Sequence, residues 1–360
     1  MRQQHSPDQR RKRIVMLIVL AIGIAFPVGF ALNGLNDFDL SDRHVTELGF
    51  VHDQDRLFGS LVLPDESHDG PVALIVHGDG PQNRFSNDTY LPLINTLLDR
   101  GIGIYSWDKP GIEQSSGNWL DQSMSDRASE ALAAYAKVTD QYPALRDKTG
   151  FIGFSQAGWV VPKVLGDHDD VAFGVMIGGA INWQDQGAYY TRKRMQRDGI
   201  PEDEIVRTIT KDQSRDAKTF APDALYEDYL AAIQHENIPV MSAARFGFVK
   251  RNITSDAQSG LQKIDQPFLA LFGEDDLNVD ARKDSEVYRE NLNTRHQQTQ
   301  VTLIPDATHG LLRSGLFNYQ RASEMPVTRQ LLFTIMGRYA YAPDAIEVLA
   351  NWILQTTTNR

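Results

Sequence analysis

Residues 150–158 read Gly-Phe-Ile-Gly-Phe-Ser-Gln-Ala-Gly, an apolar run that leads directly into a serine with small neighbours. The run predicts a buried strand, and the residues after Ser155 predict a helix. A turn this tight brings the chain before and after the serine together, so Gly153, Ala157 and Gly158 are small for a steric reason. The pattern is typical of a strained turn that presents a nucleophile, with alanine replacing the last glycine. An ordinary helix with Ser155 as its N-cap is the alternative.

Strands and helices alternate on both sides of this segment. Strands are predicted at 72–76, 103–107, 150–154, 172–177, 268–272 and 301–304, and helices near 89–99, 123–141, 155–166, 281–293 and 343–355. This alternation predicts the α/β class, with a mostly parallel, doubly wound sheet covered by helices on both faces. Residues 45–51 and 56–63 predict a β-hairpin, and hence an antiparallel edge.

The alternation stops in residues 181–262, which are rich in charged and aromatic residues and have helical periodicity without a clear strand. The segment lies between two strand–helix units, where an insertion would surround the carboxyl ends of the strands. We therefore predict a core formed by 34–180 and 263–360, with 181–262 as a helical cap. The aromatic residues of the cap are expected mainly in its own core, with some lining an apolar cleft.

A carboxylate follows the strand at 268–272, in the sequence Gly273-Glu274-Asp275-Asp276. At this position it would orient a histidine and stabilise its protonated form. Spacing alone does not choose between the two aspartates, but the preceding glycine and the following apolar Val279 favour Asp276. A solvated acidic loop is the alternative.

A histidine follows the strand at 301–304, in the sequence Thr308-His309-Gly310. A histidine in this loop could reach Ser155 and act as its general base. The chain order Ser155, Asp276, His309 matches one of the known orders of a serine, acid and histidine triad. We predict that these three residues act together.

Residues 77–81 read His-Gly-Asp-Gly-Pro at the end of the strand at 72–76. A developing oxyanion needs two preorganised N–H donors, and glycines allow a loop to turn its N–H groups inward. We predict the backbone N–H groups of Gln156 and Asp79 as these donors, with Gly80 as the next candidate. His77 is interpreted as structural, and a plain glycine-rich turn is the alternative for the loop.

Together with Trp107-Asp108-Lys109-Pro110-Gly111 and Ser115-Ser116-Gly117, these motifs resemble α/β-hydrolases of the dienelactone-hydrolase and prolyl-oligopeptidase-like group. The resemblance covers about residues 45–355. It implies a serine hydrolase acting on carboxylic esters, with no cofactor or metal; peptide or amide hydrolysis and acyl transfer are the alternatives. A non-catalytic binding protein on the same fold is an alternative of another class.

The sequence departs from the pattern of this group at Asp79, where many relatives carry a small neutral residue. Asp108 and Lys109 are interpreted as residues that fix a turn.

Composition narrows the possible partners. The 360 residues include no cysteine, which excludes thiol nucleophiles, thiolate metal sites and disulfides. The net charge of -11 disfavours nucleic acid as a partner. The expected partner is a small-molecule acyl substrate, and the sequence does not indicate an oligomeric state.

The N-terminus predicts a targeting segment over residues 1–33. Five basic residues precede an uncharged run from Ile14 to Leu32, just long enough for a membrane helix. The positive-inside rule would leave the basic end in the cytoplasm and the catalytic part outside it. A signal peptide cleaved after Ala31, giving an exported protein, and a buried helix are the alternatives.

Overall fold

The computed structural model describes residues 28–235, 238–292 and 297–358. Its strands are β1 (His44–Glu47), β2 (Phe50–His52), β3 (Asp55–Leu57), β4 (Gly59–Leu63), β5 (Val72–Val76), β6 (Gly103–Trp107), β7 (Thr149–Phe154), β8 (Gly174–Ile177), β9 (Phe268–Gly273) and β10 (Gln300–Ile304). Eight of them form one sheet in the order β1-β4-β6-β5-β7-β8-β9-β10. Strands β5 to β10 run parallel, whereas β4 and β1 form an antiparallel edge. The predicted sheet is confirmed.

Helices cover both faces of this sheet. They are α1 (described over 28–36), α2 (Leu91–Asp99), α3 (Met124–Gln141), α4 (Val161–Asp167), α5 (Trp183–Arg197), α6 (Glu202–Thr219), α7 (Tyr226–Ile233), α8 (Ala243–Asn252), α9 (Gln258–Leu261), α10 (Ala281–Asn291), α11 (Ser314–Phe317), α12 (Val327–Met336) and α13 (Ala345–Thr358). One core cluster includes side chains from α3, α4 and α10, and a second includes side chains from α2 and α13. Because β5, β7 and β8 lie between these layers, their sequences are continuously apolar rather than alternating.

The predicted N-terminal hairpin is present but divided. The β1 strand pairs with β4 in the main sheet, and β2 pairs with β3 in a separate two-stranded sheet. The interruption lets Leu48, Phe50 and Leu57 pack into the main core.

Two helical features differ from the sequence prediction. The helix expected at 155–166 begins as a 3-10 turn, Ser155–Trp159, and the α-helix α4 starts only at Val161. The prediction also omitted α12, whose side chains include none that is fully buried.

Residues 181–262 lie between β8 and β9, and their described part forms helices α5 to α9. Phe220, Tyr229, Phe246 and two isoleucines make a separate apolar cluster there. We keep the name cap for residues 181–262.

Most of the apolar run Ile14–Leu32 lies outside the described residues. Residues 28–36 are helical. Within the described ranges, no helix combines the length and apolarity that crossing a membrane requires.

Candidate active site

Ser155 lies at the carboxyl end of β7, near the middle of the sheet. Its backbone φ is 51°, a left-handed conformation that a non-glycine residue adopts at an energetic cost. The side chain is partly exposed, while the next four residues are buried. The turn therefore holds one accessible hydroxyl above a rigid sheet.

The small residues around Ser155 are required by space. A Cβ at Gly153 would lie 2.8 Å from Val161 Cγ2 and 3.0 Å from Ala157 Cβ. A Cβ at Gly158 would lie 2.9 Å from Gly179 Cα. Real Cβ atoms hardly approach this closely, so larger residues would displace the turn. The steric reason inferred from the sequence therefore holds.

His309 and Asp276 are in direct contact. Nδ1 of His309 lies 2.7 Å from Oδ2 of Asp276, whose side chain is fully buried. An ionised carboxylate only accepts, so the imidazole donates its Nδ1 proton and leaves Nε2 free to accept one. Burial by itself would lower the pKa of His309, but the charge and hydrogen bond of Asp276 raise it above its ordinary value.

Of the two neighbouring aspartates, Asp276 faces the histidine. Its other oxygen, Oδ1, accepts the N–H groups of Asn278 at 2.6 Å and Val279 at 2.9 Å. The Asp275 carboxylate instead accepts the Ser314 hydroxyl at 2.6 Å. The spacing argument for Asp276 agrees with this geometry.

Ser155 and His309 approach the same end of the sheet without bonding. Among the described residues, no hydrogen bond joins the serine hydroxyl to the imidazole. A Cβ at Gly178, just after β8, would lie 2.8 Å from His309 Nδ1. The imidazole thus lies over the strand next to β7. Such bonds are often long without substrate and tighten when it binds.

Side chains hold the carbonyls of the loop 77–80. Arg127 donates to His77 O at 2.6 Å, and Gln82 donates to Asp79 O at 2.8 Å. Lys109 donates to Gly78 O at 2.5 Å and to Gly80 O at 2.9 Å. In a trans peptide the N–H points opposite to the C=O, so Lys109 also fixes the direction of the Asp79 N–H.

This loop lies against Ser155. A Cβ at Gly78 would lie 3.3 Å from Ser155 Cβ. The N–H of Gln156 belongs to the first turn of a 3-10 helix, where N–H groups have no partner within the helix. His77 is buried, which lowers its pKa to about 3, and its Nε2–H donates to Trp107 O at 2.7 Å. This geometry is that of a neutral residue bracing two strands.

The Asp79 carboxylate is bound by Arg245 from the cap. Arg245 donates to both of its oxygens, at 3.0 and 2.8 Å. Burial would raise the pKa of Asp79, but Arg245 and then Lys109 lower it overall. The Gln156 side chain also donates to Asp79, at 3.0 Å, and accepts from Arg127 at 2.7 Å.

Sequence reasoning missed Arg127 and Arg245 and assigned Lys109 only to a turn. Lys109 is the second residue after β6, a position from which a side chain reaches the same end of the sheet as the loop. Arg127 lies on the apolar face of α3, where a buried cation needs partners. Nothing local marks Arg245, which is 166 residues from Asp79.

Residues 71–314 match the family model described as serine aminopeptidase, S33. The match spans more than half of the chain, which therefore belongs to this family of α/β-hydrolases. The chain is a hydrolase of this fold. No curated protein matches the sequence significantly.

Several solved structures share the fold. An esterase of Pyrococcus furiosus is 18% identical with a TM-score of 0.51, and the alignment covers 84% of this chain and 93% of the esterase chain. A proline iminopeptidase of Mycobacterium smegmatis is 13% identical with a TM-score of 0.52, covering 87% and 99%. DcsB, solved with a substrate analogue, is 13% identical with a TM-score of 0.53, covering 88% and 99%. At these identities the likeness concerns the fold alone.

Proposed function

We propose that this hydrolase cleaves carboxylic esters through a triad of Ser155, His309 and Asp276 and an acyl-enzyme. The observation that carries the proposal is the 2.7 Å contact between His309 Nδ1 and the buried Asp276. It leaves Nε2 as a base at the end of the sheet where the strained turn presents Ser155.

Acylation begins when His309 Nε2 takes the proton of Ser155 Oγ, which attacks the ester carbonyl carbon. The carbonyl oxygen gains a negative charge, which the N–H groups of Gln156 and Asp79 stabilise. His309 then gives its proton to the leaving alkoxide as the carbon–oxygen bond breaks. Asp276 stays ionised and stabilises the imidazolium throughout.

Deacylation repeats the sequence with water. His309 takes a proton from the water that attacks the acyl carbon, and returns it to Ser155 as the acid leaves. The cap contributes to the surroundings of the site, since Tyr189 of α5 donates to Asp276 O at 2.8 Å and Arg245 of α8 contacts Asp79. We assign to the cap the selection of acyl and leaving groups.

Peptide or amide hydrolysis is the second candidate, because the family model is named for aminopeptidases. A panel of p-nitrophenyl esters and aminoacyl p-nitroanilides separates the two, with the full-length chain in mild detergent beside Ser155→Ala and His309→Ala. We expect turnover of esters that is at least about 10³-fold lower in both variants. Preferential anilide turnover would favour the peptidase, and a folded parent inert to both would favour a binding role.

We also propose that the N-terminal segment places the protein at a membrane, with the catalytic part outside the cytoplasm, or exports it if cleaved. The support is the basic and apolar sequence of residues 1–32 and the exposure pattern of α1. Val28, Leu32 and Leu35, one helical stripe, are 51%, 61% and 48% exposed. The opposite side of α1 packs on the protein through Phe30, which contacts Tyr339, and Asp37 in the turn just after the helix contacts Arg338.

A further inference from the structure

We propose that Arg245, although it lies in the cap, is a positioning residue of the oxyanion site. Its guanidinium neutralises the Asp79 carboxylate and holds it away from the place where the oxyanion forms. This inference rests on the proposed function, because it concerns the charge that develops during ester cleavage.

The loop carries a charge that opposes the reaction. Asp79 is a proposed N–H donor to the oxyanion, yet its own side chain is an anion. The Asp79 side chain is 44% exposed, so water screens part of its charge, but a carboxylate beside a developing oxyanion still repels it. Without a compensating cation, Asp79 would raise the barrier that its backbone N–H lowers.

Arg245 supplies that cation in a fixed geometry. Its two terminal nitrogens each bind one carboxylate oxygen, the paired arrangement that arginine favours. The guanidinium also lies 5.0 Å from the ring centroid of Phe248 and 5.8 Å from that of Trp119. Contacts with both rings restrict the direction in which the arginine points.

The same carboxylate connects the two proposed donors. Gln156 donates its side-chain amide to Asp79, and Arg127 donates to the Gln156 amide oxygen. The series Arg127, Gln156, Asp79, Arg245 thus joins both residues whose N–H groups would bind the oxyanion. A carboxylate held by Arg245 keeps the Gln156 side chain in place, and a released one would not.

The helix that carries Arg245 is attached to the core. At its end, Asn252 accepts the N–H of Met124 at 2.9 Å and donates to Gln122 O at 3.1 Å. At its start, Ser242 caps the helix by accepting the N–H of Arg245 at 3.2 Å. The position of the cap therefore sets the charge at the oxyanion site.

A double-mutant cycle on the full-length chain tests this inference. The variants are Arg245→Ala, Asp79→Asn and the pair, with Arg245→Lys as an intermediate. Arg207→Ala is the control, because Arg207 is a cap arginine that is 70% exposed and paired only with Asp203 in the described contacts. The readouts are kcat and KM for a p-nitrophenyl ester, the rate of fluorophosphonate labelling, and Tm.

We expect Arg245→Ala to lower kcat about tenfold or more, less than the loss of a direct donor, with KM changed by less than about threefold. The decrease should shrink to about twofold or less in the Asp79→Asn background, because no anion remains to neutralise. The kcat of Arg245→Lys should lie between those of the parent and Arg245→Ala, and the kcat of Arg207→Ala should match that of the parent.

If Arg245→Ala lowers kcat equally in both backgrounds, or lowers only Tm, Arg245 acts only on structure and the inference is overturned. A folded parent that neither turns over ester nor labels would instead overturn the proposed function, and this inference with it. The result could also be an active parent whose activity is lost in Ser155→Ala, together with a decrease in kcat from Arg245→Ala that is undiminished in the Asp79→Asn background. That result would overturn this inference alone.

Discussion

At the scale of single residues, the protonation of His309 depends on one buried neighbour. Asp276 is fully buried and 2.7 Å away, so its charge is poorly screened. It outweighs the burial that would otherwise favour the neutral imidazole, and the pKa of His309 lies above 6.5. In its proposed role as the base, His309 should therefore be protonated, and inactive, at a higher pH than a free imidazole.

We predict an acid limb for kcat/KM with a midpoint above pH 6.5, because only neutral His309 accepts the serine proton. Asp276→Asn should lower activity by about 10⁴-fold, since an amide no longer fixes the tautomer. The acid limb of the activity that remains in Asp276→Asn should move to lower pH, because the pKa of His309 falls when the Asp276 anion is absent. Rate profiles between pH 5 and 9 check both effects, and an unmoved limb in Asp276→Asn would exclude His309 as its origin.

Residues in the loops that follow the parallel strands could be located from the sequence. Ser155, Asp276 and His309 each follow an apolar run, and parallel strands bring such positions to one end of the sheet. The partner of Asp79 could not be found this way. Arg245 reaches the loop only through the packing of the cap, and no periodicity encodes a contact between residues so far apart.

At the scale of elements, α8 and α3 are joined by one buried amide. Asn252 is 1% exposed and satisfies the first N–H of α3, which has no partner within that helix. It also binds Gln122 O, next to the Ser123 and Asp126 capping pair that starts α3. The contact fixes the helix that carries Arg245.

Asn252→Ala should lower the free energy of unfolding by about 1–3 kcal/mol, because Met124 N–H and Gln122 O lose their partner in a buried place. Urea titrations followed by circular dichroism measure the change. Gln258→Ala, which removes an exposed amide from the same cap, is the matched control. Equal stability of the two variants would mean that the Asn252 contacts contribute little.

Sequence patterns predict the boundaries of some helices better than those of others. The predicted start of α3 near residue 123 lies within one residue of the observed start at Met124, where Ser123 and Asp126 form a capping box. The 3-10 turn after Ser155 and the half-exposed α12 were not found. The 3-10 turn is imposed by crowding around the strained turn at Ser155, and α12 lacks the fully buried stripe that periodicity detects.

At the scale of the whole molecule, the described surface places an apolar stripe on α1, which overlaps the end of the apolar run in the sequence. Val28, Leu32 and Leu35 are exposed on one side, while the other side packs on the protein. Exposed apolar stripes of this kind mark contact with a membrane or another protein. The preceding basic and uncharged residues are the reason that we propose a membrane for α1.

We predict that the full-length chain, expressed in bacteria, is found in the membrane fraction at its full mass, or outside the cytoplasm after cleavage near Ala31. A variant that begins at residue 34 should stay in the cytoplasmic fraction. Fractionation combined with intact-mass measurement distinguishes these outcomes. The uncleaved parent in the cytoplasmic fraction would contradict the proposed location.

Mapping a covalent adduct tests whether Ser155 is the nucleophile, as we propose. The full-length chain is treated with a fluorophosphonate, digested, and its peptides are analysed by mass spectrometry. We expect one adduct, on Ser155, that is absent in Ser155→Ala and formed far more slowly in His309→Ala. An adduct on another residue, or none on a folded parent, would contradict this proposal.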